Sequence, residues 1–361
     1  MTGPTITESQ VLDALRSVMD PDLHRDIVSL GFIRNMKIEG SVVAFDVNLT
    51  NPACPVKDRL RDQSRQAVLS NVPGATDVRV NMTAEVRRAA SPDTSALKTV
   101  RNIVAVGSGK GGVGKSTVAA NLAASLAATG ARVGLLDADI YGPSIPIMMQ
   151  SGRPAEPRHD NTIEPGLAHG VKTMSMGFLT PGDQPLIWRG PMAHKALQQS
   201  LLSVNWGELD YLIVDLPPGT GDVHLTLVQT VPVTGAVIVS TPQDVGLQIS
   251  LKTLRMFQQT KVPILGIVEN MSYYVCPHCG ERDDLFGHGG AQDAATSLRI
   301  PFLGEIPLDT SIRKYADHGT PVSIAEPESP SGRAFLAIRG ALAQEVSKQA
   351  FKNIALSIVE E

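Results

Sequence analysis

Aromatic residues make up only 4% of this 361-residue chain, and it has no excess of positive charge, with 32 Lys and Arg against 36 Asp and Glu. A single-strand binder stacks bases on aromatic rings and a duplex binder presents a basic face, so no nucleic-acid partner is expected. Three cysteines are too few for a disulfide framework, and an odd thiol suits a reducing compartment. No run of about 18 apolar residues exists to span a bilayer. The opening Met1-Thr2-Gly3-Pro4-Thr5 lacks the basic-then-apolar order of a signal peptide. A soluble, cytoplasmic protein without stable membrane association is the expectation. Plentiful instead are glycine, at 32, and proline, at 25, the residues of tight turns. Hydrophobic residues at 42% and charged residues at 19% match an ordinary globular chain of two or three domains.

The hydrophobic rhythm divides the chain. After Thr7, the residues Val11, Leu12, Leu15, Val18 and Met19 share one helical face, and Asp20-Pro21 closes the pattern. Val43, Phe45, Val47 and Leu49 alternate with polar neighbours as a half-buried strand. A helix is predicted from Pro55 to Asn71, and Val78, Val80 and Met82 alternate again. Residues 1–86 thus read as a small α–β–β–α–β domain. Residues 87–99 keep neither period and read as a linker or an ordered surface loop. Between 100 and 347, wholly apolar runs alternate with helical patterns: Ile103–Val106, Val133–Leu136, Val171–Met174, Tyr211–Val214, Ala236–Val239 and Ile264–Val268. That order predicts an α/β fold, a doubly wound, mostly parallel sheet covered on both faces. Residues 348–361 carry an apolar stripe of Ala350, Phe351, Ile354, Ala355, Ile358 and Val359, predicted as a helical tail packed on the core or on a partner.

The first of these strands runs into Gly107-Ser108-Gly109-Lys110-Gly111-Gly112-Val113-Gly114-Lys115-Ser116-Thr117, where Gly109 to Ser116 fits G-x-x-x-x-G-K-[ST]. Glycines let backbone N–H groups turn around phosphate oxygens, and the following helix presents its positive end to the same anion. Lys115 is expected on the β- and γ-phosphates and the Ser116 hydroxyl on Mg²⁺. Asp137 and Asp139 follow one apolar strand and Asp215 another, so their loops can converge beyond the carboxyl edge of the sheet. Asp215 is placed like the acidic residue that holds the metal and its waters. Pro217-Pro218-Gly219-Thr220-Gly221-Asp222, next in the chain, is a turn suited to sensing the γ-phosphate.

With Lys110 directly after the first motif glycine, the chain resembles the deviant phosphate-loop ATPases, the group of MinD, ParA, the nitrogenase iron protein and the Mrp-type carriers. The resemblance implies a nucleotide-sandwich homodimer in which Lys110 reaches the partner's phosphates. It also implies that Asp139 orients the attacking water and Asp137 supports the magnesium, the split of roles between them staying open. Asn270 is implied to read adenine, with Pro307-Leu308-Asp309 adding contacts, so ATP is the expected nucleotide. Gly109, Gly111, Gly112, Val113, Gly114 and Thr117 complete its cradle.

Cys276-Pro277-His278-Cys279 puts two thiolates on one turn, able to grip a soft metal. Two chains bring four thiolates, which suit tetrahedral zinc and an iron–sulfur cluster alike. His278 and His288 remain as further zinc ligands. Together with Gly219-Thr220-Gly221-Asp222-Val223-His224-Leu225, the turn is similar to the Mrp-type iron–sulfur cluster carriers. That resemblance implies a [4Fe–4S] cluster bridging the homodimer, with apo iron–sulfur proteins and scaffold proteins as partners. Thr50-Asn51-Pro52-Ala53-Cys54-Pro55 resembles the T-x-x-x-C-P element of a small iron–sulfur assembly domain. Cys54 is expected at a helix start, where the dipole lowers a thiol pKa, as a transfer thiol or else as a small buried apolar residue. Two other readings share these residues: a MinD/ParA-like spatial regulator with a structural zinc turn, and an ATP-coupled reductase.

Overall fold

A capping box opens the first helix. The Thr7 side chain accepts from the Gln10 N–H, and the Gln10 side chain accepts in turn from the Thr7 N–H, starting α1 (Glu8–Leu15). The computed structural model describes residues 6–54, 56–88, 97–152, 162–179, 190–276 and 278–359. It divides into two units, Met1–Arg87 and Arg88–Glu361.

In the first unit α1 is shorter than the predicted periodicity. The N–H groups of Ser17 and Val18 bond three residues back, tightening the last turn, and the chain then extends. Met19 enters a two-residue ladder, β1 (Met19–Asp20) with β2 (Arg25–Asp26), and is exposed rather than on a buried face. Asp20, 5% exposed, turns the chain by accepting from the N–H groups of Asp22 and Leu23 at 2.9 Å. The strands β3 (Ile33–Glu39), β4 (Val42–Leu49) and β5 (Asp77–Ala84) form one sheet in that order, antiparallel then parallel. The parallel pair needs a crossover, supplied by α2 (Lys57–Asn71), whose Leu60, Ser64 and Val68 are buried. Val43, Phe45, Val47 and Leu49 are buried, as their alternation predicts. The helix begins at Lys57, two residues later than predicted; Pro55 lies outside the described residues.

The second unit is built on an eight-stranded sheet. Its elements run β6 (Ile103–Ser108), α3 (Lys115–Ala127), β7 (Val133–Asp137), α4 (Ile145–Met148), β8 (Gly166–Ala168), β9 (Val171–Ser175), α5 (Gly190–Leu202), β10 (Tyr211–Asp215), α6 (Asp222–Thr230), β11 (Gly235–Ser240), α7 (Asp244–Gln259) and β12 (Ile264–Asn270). Then come a hairpin of β13 (Tyr274–Val275) and β14 (Arg282–Asp283), α8 (Gly290–Leu298), β15 (Phe302–Ile306), α9 (Thr310–Asp317), α10 (Val322–Ala325) and α11 (Pro330–Val359). The sheet order is β15-β12-β11-β6-β10-β7-β9-β8, and every pair but β8–β9 is parallel. This is the predicted doubly wound α/β fold. The six predicted strands are all present. The two that sequence periodicity missed, β8 and β15, lie at the edges, where one neighbour is absent and an apolar run is not required.

Strands β6, β7, β10 and β11 are buried throughout, and α3 buries nine consecutive positions, Val118 to Leu126, all around its axis. Each fully buried Leu or Ile there contributes about 1.5–3 kcal/mol over exposure. The side chain of Asn121 in α3 accepts from the Ser323 N–H at 2.9 Å, tying the helix behind the phosphate loop to α10. The last helix, α11, packs on β15 and α3. It runs unbroken from Pro330, so no boundary falls at 347/348, and its buried stripe of Phe335, Ile338, Leu342, Val346 and Ala350 extends into the predicted tail. Residues 89–96 of the predicted linker and the side chains of Ile354, Ala355, Ile358 and Val359 lie outside the described residues. Among the described residues no helix is long and apolar enough to cross a membrane.

Candidate functional site

Five neighbouring parallel strands, β12, β11, β6, β10 and β7, end on one edge of the sheet, and the loops leaving them carry the candidate residues. From β6 the chain turns through Gly112 at φ +81° and Gly114 at φ +80°, a conformation that costs a side chain dearly. Gly114 is the residue before α3, so the first N–H groups of that helix open onto the loop with the positive helix end behind them. A Cβ on Gly114 would stand 2.1 Å from Asn270 Nδ2. That nitrogen donates to the Val113 carbonyl at 2.8 Å, so Asn270, 6% exposed, buckles the phosphate loop to the end of β12. A cavity of about 240 Å³ is lined by Lys110, Gly111, Gly112, Gly114, Lys115, Ser116 and Thr117, with Asp139 and Pro218 opposite.

Lys115 is 6% exposed. Its ammonium donates to Asp215 Oδ1 at 2.6 Å and to Ser116 Oγ at 3.2 Å, and lies 3.7 Å from Asp139 Oδ2. Asp137 and Asp215 sit opposite each other on β7 and β10. Burial pushes both carboxyls above the usual range; the Asp215 charge adds to this at Asp137, while Lys115 pulls Asp215 back down. Asp137 is held by the N–H groups of Asp139, Ser144 and Ile145 and by the Ser175 hydroxyl. Asp215 Oδ2 is buried and has no partner. Two carboxylates, Asp215 and Asp139, thus face one ammonium, Asp137 stands across the β7–β10 pairing from Asp215, and one Asp215 oxygen lacks a donor. This is a hard-oxygen environment that fits a divalent cation beside the Ser116 hydroxyl.

Asp139 Oδ1 accepts from the Gly142 N–H at 3.3 Å. The same residue lines a second cavity of about 550 Å³ with Pro217, Pro218 and Asp222. Lys110 is half-buried, and its ammonium donates to Gln243 Oε1 at 3.3 Å. Asp309 is engaged elsewhere: its carboxylate caps α9 through the Ser311 N–H and accepts from the Ser331 hydroxyl at 2.6 Å.

The thiols stand on the β13–β14 hairpin, which leaves the same end of β12. Gly280 donates its N–H to the Cys276 carbonyl at 2.8 Å, and Cys276 donates to the Glu281 carbonyl at 2.9 Å. Backbone N–H groups of Cys279 and then His278 point at the Cys276 sulfur and hold its pKa below the ordinary thiol value. Cys276 is half-buried and Cys279 exposed. Among the described residues, the one grouping of three or more His, Cys, Asp or Glu close enough to share a metal is Glu269, His288 and Glu305, which contains neither thiol. His288 turns instead to Arg282, with Nδ1 2.8 Å from the guanidinium. His278 and His288, named as further zinc ligands, form no such grouping with the thiols among the described residues.

The profile of the NUBPL iron-transfer P-loop NTPases matches residues 99–343, and that of an iron–sulfur cluster assembly protein matches residues 8–82. The chain belongs to the NUBPL iron-transfer P-loop NTPases. An iron–sulfur cluster carrier protein of Deinococcus radiodurans is 52% identical over 345 residues, 95% of this chain and 97% of its own. A nucleotide-binding protein of Archaeoglobus fulgidus, solved with ADP, is 42% identical with a TM-score of 0.56, covering 66% of this chain and 94% of its own. The cell division ATPase MinD of Pyrococcus furiosus, at 23% identity and a TM-score of 0.51 over 68% of this chain and 98% of its own, shares the fold. The resemblance to Mrp-type carriers within the deviant phosphate-loop group holds.

In this NTPase the small unit corrects one expectation. Cys54 lies three residues before α2, but burial pushes its thiol up to about 11, outweighing the Val56 N–H, and the charges of Asp22 and Asp20 add to the rise. Sequence reasoning also missed Gln243, Ser144 and Ser175. All three follow or end strands at the carboxyl edge, the one signal that could have found them.

Proposed function

We propose that this NTPase binds and hydrolyses ATP and carries a [4Fe–4S] cluster between two copies of itself, handing it to apo-proteins in the cytoplasm. The observation that supports this best is the thiol turn. Two sulfurs on a solvent-facing hairpin have no third ligand among the described residues, so a four-thiolate site needs a second chain. The donor set is thiolate, with Cys276 already biased towards that form.

In the nucleotide half, the loop N–H groups and Lys115 hold the β- and γ-phosphates. Bound Mg²⁺, held by Ser116 with Asp215 and Asp137 behind it, would neutralise phosphate charge. Asp139 orients water for attack on the γ-phosphorus, the bond to the β,γ-bridging oxygen breaks, and the water's proton passes to phosphate. Lys110, released from Gln243, reaches the phosphates of the other copy and stabilises the developing charge. Asn270, besides holding Val113, is assigned to the adenine edge. Cluster transfer is ligand exchange: each Fe–S bond to Cys276 or Cys279 that breaks is replaced by one from the acceptor protein or, on loading, formed as a scaffold's bond breaks.

Anaerobic reconstitution with iron and sulfide, followed by metal analysis and absorption spectra, tests this. One four-iron cluster per dimer in the parent, lost in Cys276→Ala, is the expected result. Zinc alone, tightly retained, would overturn it in favour of a spatial-regulator ATPase with a structural turn, for which liposome flotation with ATP is the companion assay.

A further inference from the structure

The thiol hairpin has only two residues per strand, too few to hold its place unaided. One side chain fastens it. Arg282 forks onto Glu305, Nη1 to Oε1 at 3.0 Å and Nη2 to Oε2 at 3.4 Å. The same guanidinium lies 4.0 Å over the Tyr273 ring, with Nε on Asp284 and Nη2 against His288. Glu305 stands opposite Glu269 across the β15–β12 pairing. Glu269 is fully buried, accepting from Ser272 Oγ at 2.6 Å and the Ala291 N–H at 2.8 Å, and Ser272 Oγ is also 3.1 Å from Glu305. The next residue is Asn270, which buckles the phosphate loop. Two facing carboxylates together with His288 have the makings of a cation site, and the guanidinium already supplies that cation.

We propose that Arg282 is a positioning residue, docking the thiol turn on the Glu305–Glu269 pair so that the state of the phosphate loop is felt at Cys276 and Cys279. This rests on the reading of the turn as the cargo site. A displacement of Val113 when phosphate enters moves Asn270 and the end of β12. Glu269, Ser272 and Glu305 move with that end, and the Arg282 fork passes the movement to the hairpin.

The test uses the metal-free full chain in a Cys54→Ser background, with alkylation rates of Cys276 and Cys279 read by mass spectrometry with and without Mg·ATP. In the parent, nucleotide changes those rates by about fivefold, the low end of ordinary coupling between sites. Arg282→Gln brings the ratio to unity while ATP affinity, measured separately, stays unchanged. Arg282→Lys retains an intermediate ratio, because an ammonium cannot reproduce the two-pronged contact. If Arg282→Gln does not fold, judged by its thermal melt, Glu305→Gln decides, with the same loss expected. A parent without any nucleotide effect, or a variant that keeps the full ratio, overturns the proposal. No iron enters the assay, so its failure leaves cluster carriage standing, and failure of carriage leaves this result intact.

Discussion

Cys54 and Cys276 both precede a proline, and the chain around each makes a turn, yet their surroundings shift the two thiols in opposite directions. Cys54 is half-buried near the acidic Asp20 and Asp22, and partial desolvation raises its pKa to about 11. Cys276 stands half-buried on a surface hairpin, with N–H groups directed at its sulfur, and its pKa falls. A Cys-Pro dipeptide therefore says little about reactivity. What decides is whether the turn aims N–H donors at sulfur while leaving it hydrated, or buries it so that the anion loses its solvation.

The sharpest test is competitive alkylation of the metal-free chain at pH 7.5. Thiolate fraction falls tenfold for each unit of pKa above the working pH, partly offset by the weaker nucleophilicity of a lower-pKa thiolate, so Cys276 is expected to label at least about tenfold faster than Cys54. Raising the pH should accelerate Cys54 steadily until about 11, where its thiol is half ionised. Equal labelling at neutral pH would erase the distinction between the two regions.

A second contrast, buried against hydrated, concerns histidine. His288 is half-exposed and bonded to Arg282, whereas His224 is fully buried against Phe257 with neither ring nitrogen partnered. Burial lowers the His224 pKa to about 4. Between pH 4 and the unfolded value of 6.5 the unfolded chain takes up the proton and the folded chain does not. Stability from this group is thus complete above 6.5 and is lost as pH falls towards 4. His224→Leu should flatten that part of the curve by about 2 kcal/mol, measured as the difference from the parent in urea denaturation at pH 4.5 and 7. An unchanged slope would mean that the ring is hydrated after all.

How much of this was legible in the sequence follows the same division between local and distant causes. The phosphate loop, the six apolar strands and the aspartates at their ends could be read because strand, turn and helix start are consecutive in the chain. The early end of α1 was hidden because Met19 fits a helical stripe as well as the ladder it joins. The chain distance between Arg282 and Glu305, and between Asn270 and Val113, made those contacts invisible until the sheet order placed β15 beside β12 and the end of β12 near the phosphate loop. Cys54 misled for the same reason: the nearby helix start was visible, and the burial that outweighs it was not.

The smallest expected effect bears most directly on what Cys54 is for. A thiol that stays protonated in the folded chain is a poor cluster ligand, so Cys54→Ser should keep the full iron content of the parent. Its transfer rate to an apo-acceptor should stay within about twofold, a barrier change below 0.5 kcal/mol. The readout must separate loading from transfer, since iron content reports Cys276 and Cys279 while transfer rate reports every thiol the cargo meets. A large fall in transfer at unchanged iron would show that Cys54 leaves its half-buried position during exchange and ionises in water. The contrast between the two thiols would then describe the resting protein only.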